Sequence, residues 1–381
     1  MALTLADLLR EHWPGYAHAR ATRLHTDHYR AVRCALACRT PELGGRLYRC
    51  GDCQRTHFAY HSCNHRSCPQ CGALDQQIWS AKQEARLLPV PYFMVTFTLP
   101  AELRSLCLGQ PRALYDLMLR ESAATLRDII ATKAKVKDAC IGSTAVLHSW
   151  GRQMQHHPHV HHIVPAVAYD PQSNALIHPD KATFLVHFAP LATRFRSRLH
   201  QALKDQHPDI YQNLTADQRR ALAPATQWNV QVQHVGRGHT ALRYLARYVQ
   251  RSAFAPGRLL GYDRDGKVLL RWTSSSTGTC GVLKLHPHEF IRRWLLHVLP
   301  KGLTRIRHYV CLSSAARKTR CRIRVLLGAT MNVPAPRLPE VKPFTCEHCG
   351  GKLTFLREIA RPHPTRGPPA RPPAMSKPSL P

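Results

Sequence analysis

A histidine run in this chain carries the first residues whose type and spacing could do chemistry. Between Gln155 and Val164 the sequence reads Gln-His-His-Pro-His-Val-His-His-Ile-Val, and His159 and His161 flank the apolar Val160. On a strand, side chains alternate faces, so the two imidazoles point one way while Val160 enters the core. Two histidines on one rigid face can hold a divalent cation and leave coordination positions open for substrate oxygens. Pro158 makes the preceding His157 a poorer member of the pair, and His162 frames the motif from the other side. A hydrolytic H-x-H-x-D-H zinc site is disfavoured, because no Asp follows at the required position.

Tyr244-Leu-Ala-Arg-Tyr248 is the second grouping. Residues four apart share a helix face, so both phenols can reach one site in turn. A tyrosine is a weak nucleophile while its pKa stays near 10, and a metal that polarises a scissile phosphate would assist it. Attack would leave a phosphotyrosine and a free 3′-hydroxyl, storing the bond energy for rejoining without ATP. Arg243, Arg247 and Arg251 repeat at the same spacing beside the phenols, placed to clamp flanking phosphates. Taken singly, each grouping has an ordinary reading: an exposed strand face, a packing pair on an amphipathic helix. Their conjunction gives them weight.

Cysteines form the third grouping. Seven of the 14 fall between Cys34 and Cys71. Cys50-Gly-Asp-Cys53 and Cys68-Pro-Gln-Cys71 are two C-x2-C knuckles, and together they predict one closed, four-thiolate structural zinc site. Cys63, Cys38 and His61 lie near enough to compete as ligands or to build a second site. Cys346-Glu-His-Cys349-Gly has the shape of half a zinc ribbon, but no second knuckle follows it, which leaves its metal binding open.

The whole chain of 381 residues carries a formal charge of +31, a surplus that calls for an anionic partner, nucleic acid first. Hydrophobic residues make up 44%, the globular share, which argues against a mostly disordered basic protein. No apolar run approaches the ~18–20 residues of a membrane span. The N-terminus reads as an amphipathic helix and not as a secretory signal, so a soluble, intracellular protein with reduced thiols is expected. No G-x4-G-K-[ST] loop occurs, so no nucleotide cofactor is expected.

Positioning these groups requires strands at 92–99, 143–150, 159–168 and 226–235, and helices near 74–88, 112–137, 185–203, 240–252 and 288–299. That order predicts an α+β fold with a mainly antiparallel sheet flanked by helices. The domain expectation is a helix and zinc-binding module over 1–88, a core over 89–255 and a basic, DNA-facing extension over 256–330. The knuckle segment follows over 331–360, then a disordered Pro-rich basic tail over 361–381. In the extension, Arg292 and Arg293 are candidate DNA contacts. Trp272, Trp294 and Tyr309 are either stacking faces for bases or members of the core.

Taken together the motifs resemble the HUH endonucleases, named for His-hydrophobic-His. Tyr92-Phe-Met-Val-Thr-Phe-Thr-Leu-Pro100, the His159-Val160-His161 strand and the Tyr244/Tyr248 pair occur in the order that family uses. Ser62-Cys63-Asn64-His65-Arg66-Ser67-Cys68-Pro69-Gln70-Cys71 is similar to the N-terminal zinc module of two-tyrosine insertion-sequence transposases, which move by a rolling-circle-like route. His288 to Trp294 with Val298-Leu299-Pro300 resembles their C-terminal block. The resemblance spans roughly residues 30 to 328.

It implies an HUH-like antiparallel sheet and a bacterial, cytoplasmic, nucleoid-associated enzyme. Such an enzyme nicks and rejoins single-stranded DNA at the ends of its own element through 5′-phosphotyrosine. It implies His159 and His161 as ligands of a catalytic Mg²⁺ or Mn²⁺, and Tyr244 and Tyr248 as nucleophiles. A third polar ligand is implied without being identified; Gln155, His148, Gln231 and Gln233 all remain open. Host replication proteins are conceivable partners for strand separation. A rolling-circle replication initiator with the same chemistry, or a non-catalytic zinc-dependent DNA-binding protein, would share parts of this pattern.

Overall fold

The computed structural model describes residues 3–136, 138–249, 252–273, 278–331, 333–340 and 344–362, without the side chains of 247–249. The expected tail beyond residue 362, the site residue Arg251 and the side chains of Arg247 and Tyr248 therefore lie outside the described residues.

Two helices begin the chain, α1 (Leu5–Arg20) and α2 (Thr26–Ala37). Thr4 starts α1 with a capping box, its hydroxyl accepting from Asp7 N while the Asp7 carboxylate accepts from Thr4 N. A hairpin of β1 (Gly45–Cys50) and β2 (Thr56–Tyr60) precedes α3 (Ala73–Glu84). Next come β3 (Tyr92–Thr98), the long α4 (Pro111–Ala134), β4 (Ser143–Trp150), β5 (His156–Pro165) and α5 (Phe188–Gln206). Then β6 (Val230–His234) leads to α6 (His239–Val249). A three-stranded sheet of β7 (Leu259–Tyr262), β8 (Val268–Thr273) and β9 (Cys280–Leu285) is followed by α7 (Pro287–Leu295) and β10 (Ile306–Tyr309). Near the end of the described chain, β11 (Leu353–Ile359) returns to the N-terminal hairpin, in the order β11-β1-β2.

The central sheet has five antiparallel strands in the order β10-β4-β5-β3-β6. This is the expected α+β fold of antiparallel sheets flanked by helices, with a cysteine-rich N-terminal module. One face of the sheet, including Phe97, Leu147 and Val160, is covered by Leu117 and Leu126 of α4 and Phe195 and Leu199 of α5. The other face, with Val146 and Ile163, is covered by Ala241, Leu242 and Leu245 of α6. Burial on both faces explains why β3 is almost continuously apolar.

A separate core joins α1 and α2 to the β7-β8-β9 sheet and α7. Trp294 is a member of that core, 1% exposed, with its Nε1 donating to Ser67 O at 3.0 Å, so it is not a stacking face for DNA. Tyr309 is half-buried, and its hydroxyl donates to Leu119 O.

The turn from β6 into α6 needs Gly238, whose φ is +84°. A Cβ there would also stand 3.0 Å from the Tyr92 ring. This close turn seats α6 directly over the sheet.

Candidate active site

The central strand β5 places His157, His159 and His161 on the α6 side and Val160 and His162 on the other, as the alternation requires. His162 is a satisfied core histidine, fully buried, with Ser122 Oγ 2.8 Å from Nε2 and Ser143 Oγ 3.1 Å from Nδ1. His159 pairs across the sheet with His148 of β4. His161, His159 and His148 form a near-equilateral triangle, with ring centroids 4.6, 4.8 and 5.0 Å apart. One nitrogen from each lies within 4.8 Å of the others. Of the four open candidates for a third ligand, His148 is the one the fold brings to the pair. Gln155, Gln231 and Gln233 are exposed, and the Gln155 side chain accepts instead from Gln153 N.

Neighbouring groups fix which nitrogens face the triangle. His159 Nδ1 donates to the His157 carbonyl at 2.7 Å, leaving Nε2 as its lone-pair nitrogen. His161 Nδ1 lies 2.8 Å from the hydroxyl of Thr96, its cross-strand partner. Nε2 of His161 is buried with no hydrogen-bond partner among the described residues. Such a nitrogen is costly unless something binds it, and a lone pair next to two further imidazoles suits a divalent cation. Burial lowers His159 to about 4 and drives His148 and His161 well below the ordinary histidine range, each further disfavoured by its neighbours' charge. All three are therefore neutral at physiological pH, the protonation state of a metal ligand.

Tyr244 approaches from α6 and meets His161 edge-on, with ring centroids 6.2 Å apart. Tyr248 follows one turn later on the same helix, its side chain outside the described residues. Arg243 is exposed but already engaged by an acid of the protein. Its Nε and an Nη donate to the Glu84 carboxylate at 3.2 and 3.3 Å, joining α6 to α3. Burial acts to raise the Glu84 pKa, but the hydrogen bonds from Arg243 and Ser80 leave it below the usual value. Arg292 and Arg293 both donate to Glu289, and Arg293 also donates to Gln153 O. These guanidinium forks are engaged within the protein, although Arg243 and Arg292 stay accessible.

The cysteines correct the expectation of one site on Cys50, Cys53, Cys68 and Cys71. Cys68 and Cys71 cluster instead with Cys38 and Cys63, while Cys50 and Cys53 meet Cys346 and Cys349. The hairpin is the reason. Cys50 and Cys53 occupy the turn between β1 and β2, whereas Cys38 precedes the hairpin and Cys63 follows it. A five-residue strand separates tip from base by about 17 Å, too far for one ion. At the base, Cys71 Sγ lies 3.3 Å from Cys38 Sγ and 3.5 Å from Cys63 Sγ. Hydrogen bonds from Cys38, Cys63 and Cys68 lower the pKa of the Cys71 thiol. His61 is not in either cluster and faces Glu358 at 3.6 Å.

Sequence reasoning missed Arg66. Its guanidinium donates to the carbonyls of Leu303, Leu299 and Pro300 at 2.8, 3.1 and 2.6 Å. Two motifs far apart in the chain thus meet in one fork. Thr96 and Glu84 were also missed. Neither carries a spacing signal, since each acts by lying opposite a histidine or an arginine in space.

Comparison with known proteins sets this geometry in a family. A family model described as "Transposase zinc-binding domain" matches residues 8–99, and one described as "Putative transposase" matches residues 142–320. A Sinorhizobium fredii protein named "Putative transposase y4qJ" is 35% identical over 346 residues, which span 87% of this chain and 85% of that protein. The transposase for insertion sequence element IS801 of Pseudomonas savastanoi pv. phaseolicola is 25% identical over 351 residues, or 85% of this chain and 82% of that one. No solved structure matches. The fold, the cysteine module and these likenesses define the class, an enzyme acting on DNA. The chain belongs to the insertion-sequence transposases that carry an N-terminal transposase zinc-binding domain. No helix among the described residues is long and apolar enough to cross a membrane.

Proposed function

We propose that this transposase nicks and rejoins single-stranded DNA at the ends of its element through 5′-phosphotyrosine intermediates formed by Tyr244 and Tyr248. The observation that carries the reading is the buried triangle of His148, His159 and His161 beneath Tyr244. Mg²⁺ or Mn²⁺ held by these three imidazoles would neutralise charge on the scissile phosphate.

The protein's own residues do the rest. The His157 carbonyl and the Thr96 hydroxyl hold His159 and His161 with Nε2 toward the site. Burial keeps the imidazoles neutral and limits competing water. In the cleavage step the Tyr244 phenolic oxygen loses its proton and bonds to phosphorus. The bond from phosphorus to the 3′ oxygen breaks, and that oxygen leaves as a 3′-hydroxyl. In rejoining, a 3′-hydroxyl attacks the phosphotyrosine and the phenol is released. Tyr248, one turn on, provides the second phenol for the other strand transfer. The surplus of positive charge supplies DNA affinity that is independent of sequence.

The test is covalent capture. Incubated with Mn²⁺ and a single-stranded oligonucleotide carrying its element end, the protein should become attached to DNA. Tyr244→Phe combined with Tyr248→Phe should abolish the adduct, and His148→Ala should abolish cleavage while leaving DNA binding in place. A wild-type adduct from the double tyrosine variant would sink the proposal.

A further inference from the structure

The strongest feature that the catalytic reading leaves unused is the pair of knuckles at the tip of the N-terminal hairpin. We propose that Cys50, Cys53, Cys346 and Cys349 form a second structural zinc site, which ties the chain beyond the transposase core back onto its first module.

Both knuckles have the same backbone. In the first, Gln54 N donates to Cys50 O and Cys50 N donates to Arg55 O; in the second, Gly350 N donates to Cys346 O and Cys346 N donates to Gly351 O. The fourth residue after the leading cysteine is left-handed in each, Gln54 at φ +57° and Gly350 at φ +75°. Gln54 pays a conformational cost there that glycine would not. Two equivalent turns thus face each other across a gap lined by sulfur.

The gap has the size of a metal site. Cys50 Sγ lies 3.4 Å from Cys349 Sγ, and Cys53 Sγ lies 3.6 Å from Cys346 Sγ. A disulfide needs about 2.05 Å, whereas four thiolates at about 2.3 Å from one zinc stand roughly 3.8 Å apart. His57 Nε2 sits 3.1 Å from Cys346 Sγ, placed to donate to a ligating thiolate as an outer partner. Between the knuckles, Gly51 N donates to Lys352 O at 3.1 Å. Gly351 is required by the approach: a Cβ there would meet the Asp52 carboxylate and stand 3.0 Å from Cys50 Sγ.

Energetics give the site a purpose. β11 is mostly exposed, with Phe355 50% exposed, so the three-stranded β11-β1-β2 sheet has little apolar surface to hold it. Small sheets of this kind need a staple, and a closed thiolate site provides one. Tetrahedral sulfur coordination suits Zn²⁺, with iron as the chemical competitor. The consequence is that residues 346–359 complete the N-terminal module, although they lie outside both matched family regions.

The full-length purified protein provides the test, by metal quantification and thiol alkylation. Wild type should contain two zinc ions per chain. Cys346→Ser with Cys349→Ser should leave one, and Cys63→Ser with Cys68→Ser should remove the other. Cys349 is exposed, yet it should resist N-ethylmaleimide in the native protein until a strong chelator is added. This second measurement uses wild type alone and decides the matter if a variant does not fold. Two zinc ions retained in the Cys346/Cys349 variant, iron in place of the second zinc, or immediate alkylation of Cys349 would overturn the proposal. None of these readouts depends on DNA cleavage, so failure here leaves the catalytic reading standing.

Discussion

Replacing Thr96 by valine is the most discriminating perturbation of the histidine triangle. Valine keeps the shape and the strand preference but deletes the hydroxyl that lies 2.8 Å from His161 Nδ1. Thr96 is 8% exposed, so water is a poor substitute. A buried ring N–H left without a partner costs about 1–3 kcal/mol. That range agrees with the ~10–100-fold loss of metal affinity seen when an outer partner of a ligating histidine is removed. Tyr244 and the basic surface are untouched. The expected result is a 10–100-fold rise in the Mn²⁺ concentration giving half-maximal covalent adduct, with the plateau rate at saturating Mn²⁺ and the DNA affinity close to wild type. The assay is adduct formation on a labelled single-stranded oligonucleotide across a Mn²⁺ titration, with binding measured at one fixed ionic strength. An unchanged half-saturating concentration would mean that His161 does not bind metal through Nε2. A plateau abolished at saturating Mn²⁺ would mean that Thr96 acts on the chemistry itself.

Other perturbations probe the scaffold. Glu84→Gln weakens the fork from Arg243 and should slow adduct formation about 5-fold, from a loss of roughly 1 kcal/mol, without changing DNA affinity; a parallel loss of affinity would place Arg243 on DNA instead. Arg66→Lys cannot reach three carbonyls with one fork, and should lower stability by about 2 kcal/mol in calorimetry; an unchanged melting temperature would refute that account. Acid should destabilise the fold early. Burial holds His297 and His28 down to about 4, so above the ordinary value near 6.5 nothing is lost. Below it the unfolded chain takes up protons first, which removes about 2 kcal/mol at pH 5 for His297 alone. Denaturation midpoints that stay flat from pH 7 to pH 5 would count against it.

How much of this was legible in the sequence depended on whether the signal was local. The strand at 92–99, the strand at 143–150 and the helix begun near 240, described as α6 to Val249, were readable because alternation, continuous apolar runs and helical spacing are properties of neighbours. The faces of His159 and His161 followed from the same alternation. His148 was one of four open candidates, and placing it beside His159 required the register of β4 on β5, which no spacing encodes. Trp294 could be read either way, since two arginines immediately before it in sequence say nothing about which turn of α7 faces Ser67. The cysteines show the limit most clearly. Adjacent knuckles invited a single site, but a hairpin sends its turn and its ends to opposite poles. The partner of the turn came from 293 residues downstream.

The same hairpin logic joins the cysteine module mechanically to the helix that carries Tyr244. Cys68 and Cys71 end where α3 begins, with Gly72 as the helix N-cap in a left-handed conformation. α3 then runs to Glu84, which holds Arg243, the residue immediately before Tyr244. His239, at the start of α6, faces the same carboxylate at 3.7 Å. A thiolate cluster that fixes the start of α3 therefore sets where its last turn can hold the tyrosine helix, and hence where the phenol stands relative to His161. If this line is mechanical, removing the Cys63/Cys68 pair should broaden the α6 position before it unfolds the central sheet. Hydrogen exchange would then rise in 239–246 while β3, β4 and β5 stay protected. Equal loss of protection in both would show that the module holds up the whole fold rather than aiming one helix.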